Sequence, residues 1–208
     1  ATLGFINNKF RIEGLPGFTE ALDESLKPLV KTRRHESHMH LMEACLFAYE
    51  VWDDQGFMST AEEMLRLFGK YFYDSKKDML CEYYTADLKP YAEEGQLICE
   101  PGHYCEWIWL IKKFAFLNDA PDEFNDACMN MLIWANIHGW DDKYGGIYDD
   151  LTRDGAVIEN TKRLWPFSEA IKANALMLDS GMNKEMIKDH YTQMVDVFEQ
   201  HYMEERGF

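Results

Sequence analysis

The chain has little positive charge for its size. Of its 208 residues, 21 are basic and 37 are acidic, so the formal net charge at pH 7 is −16. A charge of this sign repels the phosphates of nucleic acids and the anionic surface of a membrane. We therefore expect neither nucleic acid nor a membrane among the partners of this protein.

Cysteine pairs, long apolar runs and nucleotide-binding glycine motifs are also missing. The five cysteines include no CxxC pair, which argues against a disulfide framework or a zinc ribbon. No run approaches the roughly 20 apolar residues that span a bilayer, and the first residues do not have the pattern of a secretion signal. Because GxGxxG is absent, no dinucleotide site is expected. These absences favour a cytoplasmic protein.

The residues that are present can build a large core. Hydrophobic residues make up 47% of the chain and aromatic residues 14%, which predicts a single globular domain over residues 1–208. Apolar side chains recur at steps of three and four residues, as in Met39, Met42 and Leu46, and this period is typical of helices. The predicted helices are 38–53, 58–73, 103–118, 121–138, 161–179 and 184–203, with a weaker one at 18–31.

Polar segments between the helices resemble one another. Residues 13–21, 74–83 and 142–149 each predict a turn followed by a short strand. The repeat is about 65 residues long, and such units bury their apolar faces only by stacking on neighbours, in an open array or a closed toroid. In either arrangement the long loops and the helix starts that follow them collect at one end.

Two histidine segments stand at the starts of predicted helices. In residues 37–44, His40 is followed by Glu43, and in residues 100–107, His103 is followed by Glu106. A spacing of three residues puts each carboxylate on the same helical face as its imidazole. This arrangement suits the transfer of protons on a bound substrate.

Three segments at compatible spacing resemble the N-acylglucosamine 2-epimerase superfamily, which includes mannose isomerases and cellobiose 2-epimerases. They are 38–44 (His-Met-His-Leu-Met-Glu-Ala), 100–107 (Glu-Pro-Gly-His-Tyr-Cys-Glu-Trp) and 162–170 (Lys-Arg-Leu-Trp-Pro-Phe-Ser-Glu-Ala). The resemblance implies an all-α fold, either an (α/α)6 toroid or a partial toroid of about three helical hairpins with short β-hairpin loops at one end. It also implies that the chain carries the middle-to-late hairpins and needs no metal or other cofactor.

The resemblance further implies residues that this sequence does not supply. Family members carry a second catalytic histidine near their C-terminus, and neither His190 nor His201 lies in a matching motif. Their early hairpins contribute a substrate-binding arginine, and Asn-Pro usually stands where this chain has Glu36 and Ser37. We therefore expect the chain to be part of a longer one. Apolar hairpin faces left open would favour a homo-oligomer.

The expected reaction is the isomerisation or 2-epimerisation of a sugar. A base removes the proton beside the carbonyl, a cis-enediol(ate) forms, and the proton returns to C1 or C2. A neutral imidazole is available for this step at neutral pH. The favoured substrate is an unphosphorylated aldose such as mannose. The alternatives are 2-epimerisation of an N-acylglucosamine or of cellobiose, and a helical-repeat module that binds sugar without catalysis.

His103 is expected to be the general base, with Glu106 as its partner and Gly102 allowing substrate to approach the helix start. The alternative is a capping histidine beside a solvent-facing glutamate. His40, held by Glu43, is expected in the substrate site, although a buried histidine with a local hydrogen bond would give the same pattern.

Further substrate-binding residues are expected around the third motif. Trp107 and Trp165 could stack on sugar faces, although tryptophans at helical spacing are more often core residues. Lys162 and Arg163 could bind sugar hydroxyls or a phosphate, or could form a solvated pair. Glu169 could brace either of these two bases, or lie on the surface.

The sequence around His35, Glu36, His38 and His40 also invites comparison with metal sites. It lacks the HExxH spacing that places two imidazoles on one helical face. No metal is expected, and His38 is expected to be structural.

Overall fold

The computed structural model describes residues 2–29, 31–119, 123–180 and 183–203. The helices in these ranges are α1 (Thr2–Lys9), α2 (Glu36–Trp52), α3 (Gln55–Leu67), α4 (Pro101–Leu117), α5 (Asn125–His138), α6 (Leu164–Met177) and α7 (Lys184–Tyr202). The strands are β1 (Arg33–Arg34), β2 (Tyr73–Asp74), β3 (Met79–Leu80), β4 (Tyr83–Tyr84), β5 (Ile98–Cys99), β6 (Asp150–Thr152) and β7 (Val157–Glu159). The described chain is therefore predominantly helical, as the periodicity predicts.

The chain divides into two compact units. The first contains residues 1–99 and 110–124, and the second contains residues 100–109 and 125–208, so the division falls inside α4. Each unit is built around its own helical hairpin.

The hairpin of α2 and α3 forms the centre of the first unit. Met39, Met42 and Leu46 of α2 and Met64 of α3 are completely buried, which places the apolar stripe of each helix against the core. The Asp54 side chain caps α3 by accepting a hydrogen bond from the Gly56 N–H at 2.8 Å. Beyond Leu67 the helix continues as a π-helical turn over Phe68–Phe72.

Short antiparallel strands connect the helices of the first unit. Tyr73 of β2 faces Leu80 of β3. Arg33 of β1 faces Tyr84 of β4. Every pair is short, so these strands serve as loop structure between helices rather than as a sheet with its own core.

In the second unit, α6 packs against α5 and α7. A buried amide pair fixes the first contact: Asn136 Nδ2 donates to Asn174 Oδ1 at 2.8 Å, and Asn174 Nδ2 donates to Asn136 Oδ1 at 3.0 Å. The start of α4 meets α5 where the rings of Tyr104 and Trp134 stack 4.5 Å apart. The β6–β7 hairpin precedes α6, with Asp150 facing Glu159.

Each predicted turn-and-strand segment contains one partner of an antiparallel pairing, and the other partner lies one or two residues before the segment. The paired residues are Arg11 with Phe18, Tyr73 with Leu80, and Trp140 with Ile147. The partners are equally far apart in sequence in each case. The turn-and-strand prediction is therefore confirmed.

The prediction of a weak helix at 18–31 is wrong. The segment contains a tight turn in which the Asp23 carboxylate accepts hydrogen bonds from the N–H groups of Ser25 and Lys27, and Leu22 bridges to Pro28. Leu26 adopts a positive φ of 59°, which a helix does not allow.

The structure differs from the helix prediction in other places, too: α3 begins at Gln55 and α6 at Leu164, each three residues from the predicted start. Helix α1 was not expected from the sequence. The helix predicted at 121–138 begins at Asn125, and its first two predicted residues lie outside the described residues.

The five cysteines are buried free thiols. None of the described helices combines the length and the apolar character needed to cross a membrane.

Candidate active site

His103 lies in the first turn of α4 and is only 3% exposed. Pro101 occupies the first helical position, where its missing N–H costs no helical hydrogen bond. The Glu100 carbonyl immediately before it accepts the N–H groups of His103 and Tyr104 at 3.1 and 3.3 Å. The local sequence therefore fixes the backbone of the histidine at the helix start.

The start of α6 packs directly against this turn. The ring centroids of His103 and Trp165 are 5.0 Å apart, with the planes tilted by 35°. A Cβ atom on Gly102 would lie 2.8 Å from Pro166 and from two ring carbons of Trp165. The expectation that Gly102 makes room for substrate is therefore corrected, because it makes room for the start of α6.

A line of charged side chains runs from His103 to the β6–β7 hairpin. Oε2 of Glu100 lies 3.7 Å from Nδ1 of His103. The same oxygen accepts a hydrogen bond from Nη2 of Arg163 at 3.1 Å. Nε of Arg163 contacts Oδ1 of Asp149 at 2.9 Å. Arg163 thus joins two carboxylates, one of which faces the imidazole.

The hairpin brings Asp149 and Arg163 together. The Asp149 N–H donates to the Thr161 carbonyl at 3.0 Å, and the Arg163 N–H donates to the Asp149 carboxylate at 3.2 Å. Burial opposes ionisation of Asp149, but the hydrogen bonds from Arg163 and Thr161 outweigh it and lower the pKa of the carboxyl. Both groups are therefore charged at neutral pH.

Lys162 makes a second ion pair next to the first. Its Nζ lies 2.7 Å from Oδ2 of Asp141 and 4.8 Å from the ring centre of Tyr148. Burial would raise the pKa of Asp141, but the bonds from Lys162 and from the N–H groups of Lys143 and Tyr144 lower it to about 2. Lys162 and Arg163 are therefore paired bases, unlike the solvated pair considered from the sequence.

Glu106 and Trp107 follow His103 on α4 and are both buried. The pairing of Glu106 with His103 stays a prediction. Trp107 is 0% exposed, so its ring presents no open face on which a sugar could stack. The burial of Trp107 supports a packing role. Trp165 is only partly buried, so part of its ring is accessible.

Glu169 differs from the expectation. Its Oε2 lies 2.6 Å from Nζ of Lys172 on the next turn of α6. Lys172 in turn lies 3.9 Å above the ring of Trp109. Lys162 pairs with Asp141, and Arg163 pairs with Glu100 and Asp149. The expectation that Glu169 braces Lys162 or Arg163 is therefore wrong, because it pairs with Lys172.

In the first unit, His40 and Glu43 pair as the spacing predicts. Nδ1 of His40 lies 3.2 Å from Oε2 of Glu43, and its Nε2 lies 3.8 Å from Oε1 of Glu36. The His40 side chain is 49% exposed. The alternative that His40 is a buried histidine is therefore wrong. Its role in a substrate site stays a prediction.

The two histidines before His40 have structural partners. Nε2 of His38 accepts the Phe18 N–H at 3.0 Å, and its Nδ1 lies 3.3 Å from the Arg34 carbonyl. Nε2 of His35 contacts Oε1 of Glu82 at 3.0 Å, with both side chains completely buried. His38 is thus structural, as expected.

Three acidic residues in this site received no role from the sequence: Glu100, Asp141 and Asp149. Glu100 opens the second histidine motif, and this position was the available signal. Asp141 and Asp149 flank a Gly-Gly turn far in sequence from His103. Only the hairpin geometry brings Asp149 to Arg163.

Residues 1–207 match the family model described as N-acylglucosamine 2-epimerase (GlcNAc 2-epimerase). A similar curated protein is named mannose-6-phosphate isomerase, from Rhizobium meliloti (strain 1021). It is 33% identical over 138 residues, which cover 65% of this chain and 35% of that protein.

Solved structures with the same fold include a D-mannose isomerase, with a TM-score of 0.78 and 19% identity over 96% of this chain and 53% of that one. Cellobiose 2-epimerase from Bacillus thermoamylovorans B4167 has a TM-score of 0.75 and 12% identity over 94% of this chain and 52% of that one. The predicted fold class is confirmed, and the chain carries part of an (α/α)6 toroid. It spans about a third of the curated relative and about half of these structures.

Proposed function

Because the chain belongs to the N-acylglucosamine 2-epimerase family, we propose that it is a sugar isomerase that converts an unphosphorylated aldose such as mannose into its ketose. The observation that carries the proposal is the placement of His103 at the start of α4, beside Trp165 and a carboxylate held by Arg163. An imidazole near a carboxylate and an aromatic ring can accept a proton from a sugar that lies on that ring.

His103 is the general base of the proposed reaction. It removes the C2 proton of the open-chain aldose, which gives a cis-enediol(ate) and an imidazolium. Return of the proton to C1, together with transfer of the hydroxyl proton from O2 to O1, gives the ketose. Glu106, on the same face of α4, stabilises the imidazolium. A role of His40 and Glu43 in sugar binding stays a prediction. These steps require no cofactor.

Binding of the sugar is proposed to use the start of α6. Trp165 is partly buried and lies next to the imidazole, so one face of its ring can pack against the apolar face of a sugar. The side chain of Arg163 is 50% exposed and lies 5.3 Å from the same ring, so it can donate to sugar hydroxyls. Lys162 lies at the same end of α6.

Charge favours a neutral substrate over a sugar phosphate. Lys162 and Arg163 pair with Asp141, Asp149 and Glu100, so this cluster has more acidic than basic groups. A phosphate would compete with these carboxylates for the two cations and would be repelled by them. The relative named mannose-6-phosphate isomerase makes the phosphorylated sugar the principal rival.

A second candidate is 2-epimerisation, which the family description and the cellobiose 2-epimerase structure favour. It shares the abstraction step and differs in the carbon that receives the proton. A cytoplasmic location and a homo-oligomeric state stay predictions.

The test is to incubate the chain separately with D-mannose, D-mannose 6-phosphate, N-acetylglucosamine and cellobiose and to identify the products. Fructose from mannose, with slower turnover of the phosphate, supports the proposal. Preferential turnover of the phosphate contradicts the choice of a neutral sugar. A 2-epimer without ketose supports the second candidate.

A further inference from the structure

We infer that Glu100 is a positioning residue for His103 and that Asp149, through Arg163, holds Glu100 in its working orientation. This inference rests on the proposed function, because it explains how the proposed base is oriented. It adds to that function a second carboxylate, on the N-terminal side of the imidazole.

The first observation is the geometry at Nδ1 of His103. Oε2 of Glu100 lies 3.7 Å from this nitrogen, outside hydrogen-bonding distance but close enough to reach it with a small rotation. Catalytic hydrogen bonds are often longer before substrate binds. A carboxylate facing Nδ1 favours the tautomer that carries the proton there, and in that tautomer the lone pair that can accept a proton is on Nε2.

The second observation is that Glu100 has little freedom. Its side chain is 11% exposed and precedes the fixed backbone of Pro101. The oxygen that faces His103 is the same one that accepts the bond from Nη2 of Arg163. Rotation of the carboxylate away from the imidazole would therefore break its ion pair with Arg163.

The third observation is that Arg163 is itself held. Its Nε contacts Asp149 at 2.9 Å, and its backbone N–H donates to the same carboxylate oxygen. The planar guanidinium carries its donors at fixed angles, so a contact at Nε sets the direction of Nη2. Asp149 thus fixes the orientation of Arg163, which in turn fixes Glu100.

Charge gives this arrangement a second effect. A buried carboxylate that loses its cation protonates or turns toward water. The positive charge of Arg163, 3.1 Å from Oε2, favours the ionised form of Glu100. An ionised Glu100 would stabilise the imidazolium that forms when His103 takes the sugar proton. Glu100 and Glu106 would act on the imidazole from opposite sides along α4.

The test compares Glu100→Gln and Asp149→Asn with the unsubstituted chain. Both changes keep the size of the side chain. We expect Glu100→Gln to lower kcat for mannose about 10- to 100-fold, the range for removing a group that orients a functional histidine, with KM nearly unchanged. Asp149→Asn, one contact further away, should lower kcat about tenfold. The matched control is Glu62→Gln, which removes one charge from the exposed pair of Glu62 and Arg66 on α3 and should leave kcat unchanged.

A spectroscopic measurement separates positioning from a general structural effect. The ¹⁵N shifts of the His103 ring report which nitrogen carries the proton. We expect the Nδ1–H tautomer in the unsubstituted chain and a mixture of tautomers in Glu100→Gln, with equal unfolding midpoints. If the unsubstituted chain turns over mannose and Glu100→Gln does so equally fast, the positioning role is contradicted and the proposed function is not. The same holds if the tautomer of His103 is unchanged in Glu100→Gln. Absence of turnover in the unsubstituted chain contradicts the proposed function itself.

Discussion

The rings of His103 and Trp165 lie 5.0 Å apart, and this contact joins the first turn of α4 to the first turn of α6. The two residues come from separate sequence motifs that meet only because Gly102 has no side chain. A proton acceptor and an aromatic surface are thereby placed side by side. The proposed chemistry depends on this contact.

Gly102→Ala should therefore destabilise the protein although alanine is the better helix former. The new methyl group would meet Trp165 and Pro166 at 2.8 Å. Such overpacking costs about 1–3 kcal/mol. Urea denaturation measures the change in the free energy of unfolding. The control is Gly4→Ala in α1, where no atom lies within 4 Å of the new group, and which should stabilise by about 0.5–1 kcal/mol. Equal effects of the two changes would contradict the packing role.

Trp165→Ala should weaken mannose binding. Loss of the aromatic surface costs up to about tenfold in affinity if the sugar packs on it as aromatic groups do on one another. Isothermal titration calorimetry gives the dissociation constant. The matched change is Trp52→Ala, because Trp52 is 69% exposed and is the last residue of α2, about three turns beyond His40. If both variants bind mannose as the parent does, Trp165 is not part of the sugar site.

Asn136→Ala should destabilise the contact between α5 and α6. The change leaves the completely buried Asn174 without its reciprocal amide partner, which costs about 1–3 kcal/mol. A double-mutant cycle with Asn174→Ala should give a coupling energy of about 0.5–3 kcal/mol. Additive effects would show that the two amides stabilise the protein independently.

Stability should fall as the pH decreases below neutrality, in part because of His38. Burial, followed by the charge of Arg33, lowers its pKa to about 3. The unfolded chain protonates this group near its ordinary pKa of about 6.5. The folded state therefore binds fewer protons, and the contribution of His38 is present above that pKa and is lost as the pH falls toward 3.

The slope due to one such proton is about 1.4 kcal/mol per pH unit. Urea denaturation of the parent and of His38→Gln between pH 6 and pH 4 measures it, and the variant should have a slope smaller by this amount. Identical slopes would mean that His38 is protonated in the folded protein.

The long helices can be predicted from the sequence because the three- and four-residue spacing of their apolar side chains is visible within each segment. The prediction fails at residues 18–31, where the Asp23 turn and the positive φ of Leu26 outweigh a weak apolar pattern. Helix α1 is missed because it is short and has no buried residue to mark a face.

The site is predicted less completely than the fold. Spacing along one helix predicts the pair of His40 and Glu43. The contacts of Arg163 with Glu100 and Asp149 depend on the register of the β6–β7 hairpin, which no local pattern gives. The expected partner of Glu169 is wrong for a different reason: Lys172 follows three residues later on the same helix, so the helical spacing itself indicates this pair.

The measurement that tests the central claim most directly is proton NMR of D-mannose incubated with the chain in D2O, beside His103→Ala and the exposed control His201→Ala. The account predicts loss of the C2 proton signal and appearance of fructose with the parent and with His201→Ala. His103→Ala should slow the exchange by about 100-fold or more, while mannose still binds. Exchange that His103→Ala leaves undiminished, or a parent chain that binds mannose without exchanging its C2 proton, would contradict the account.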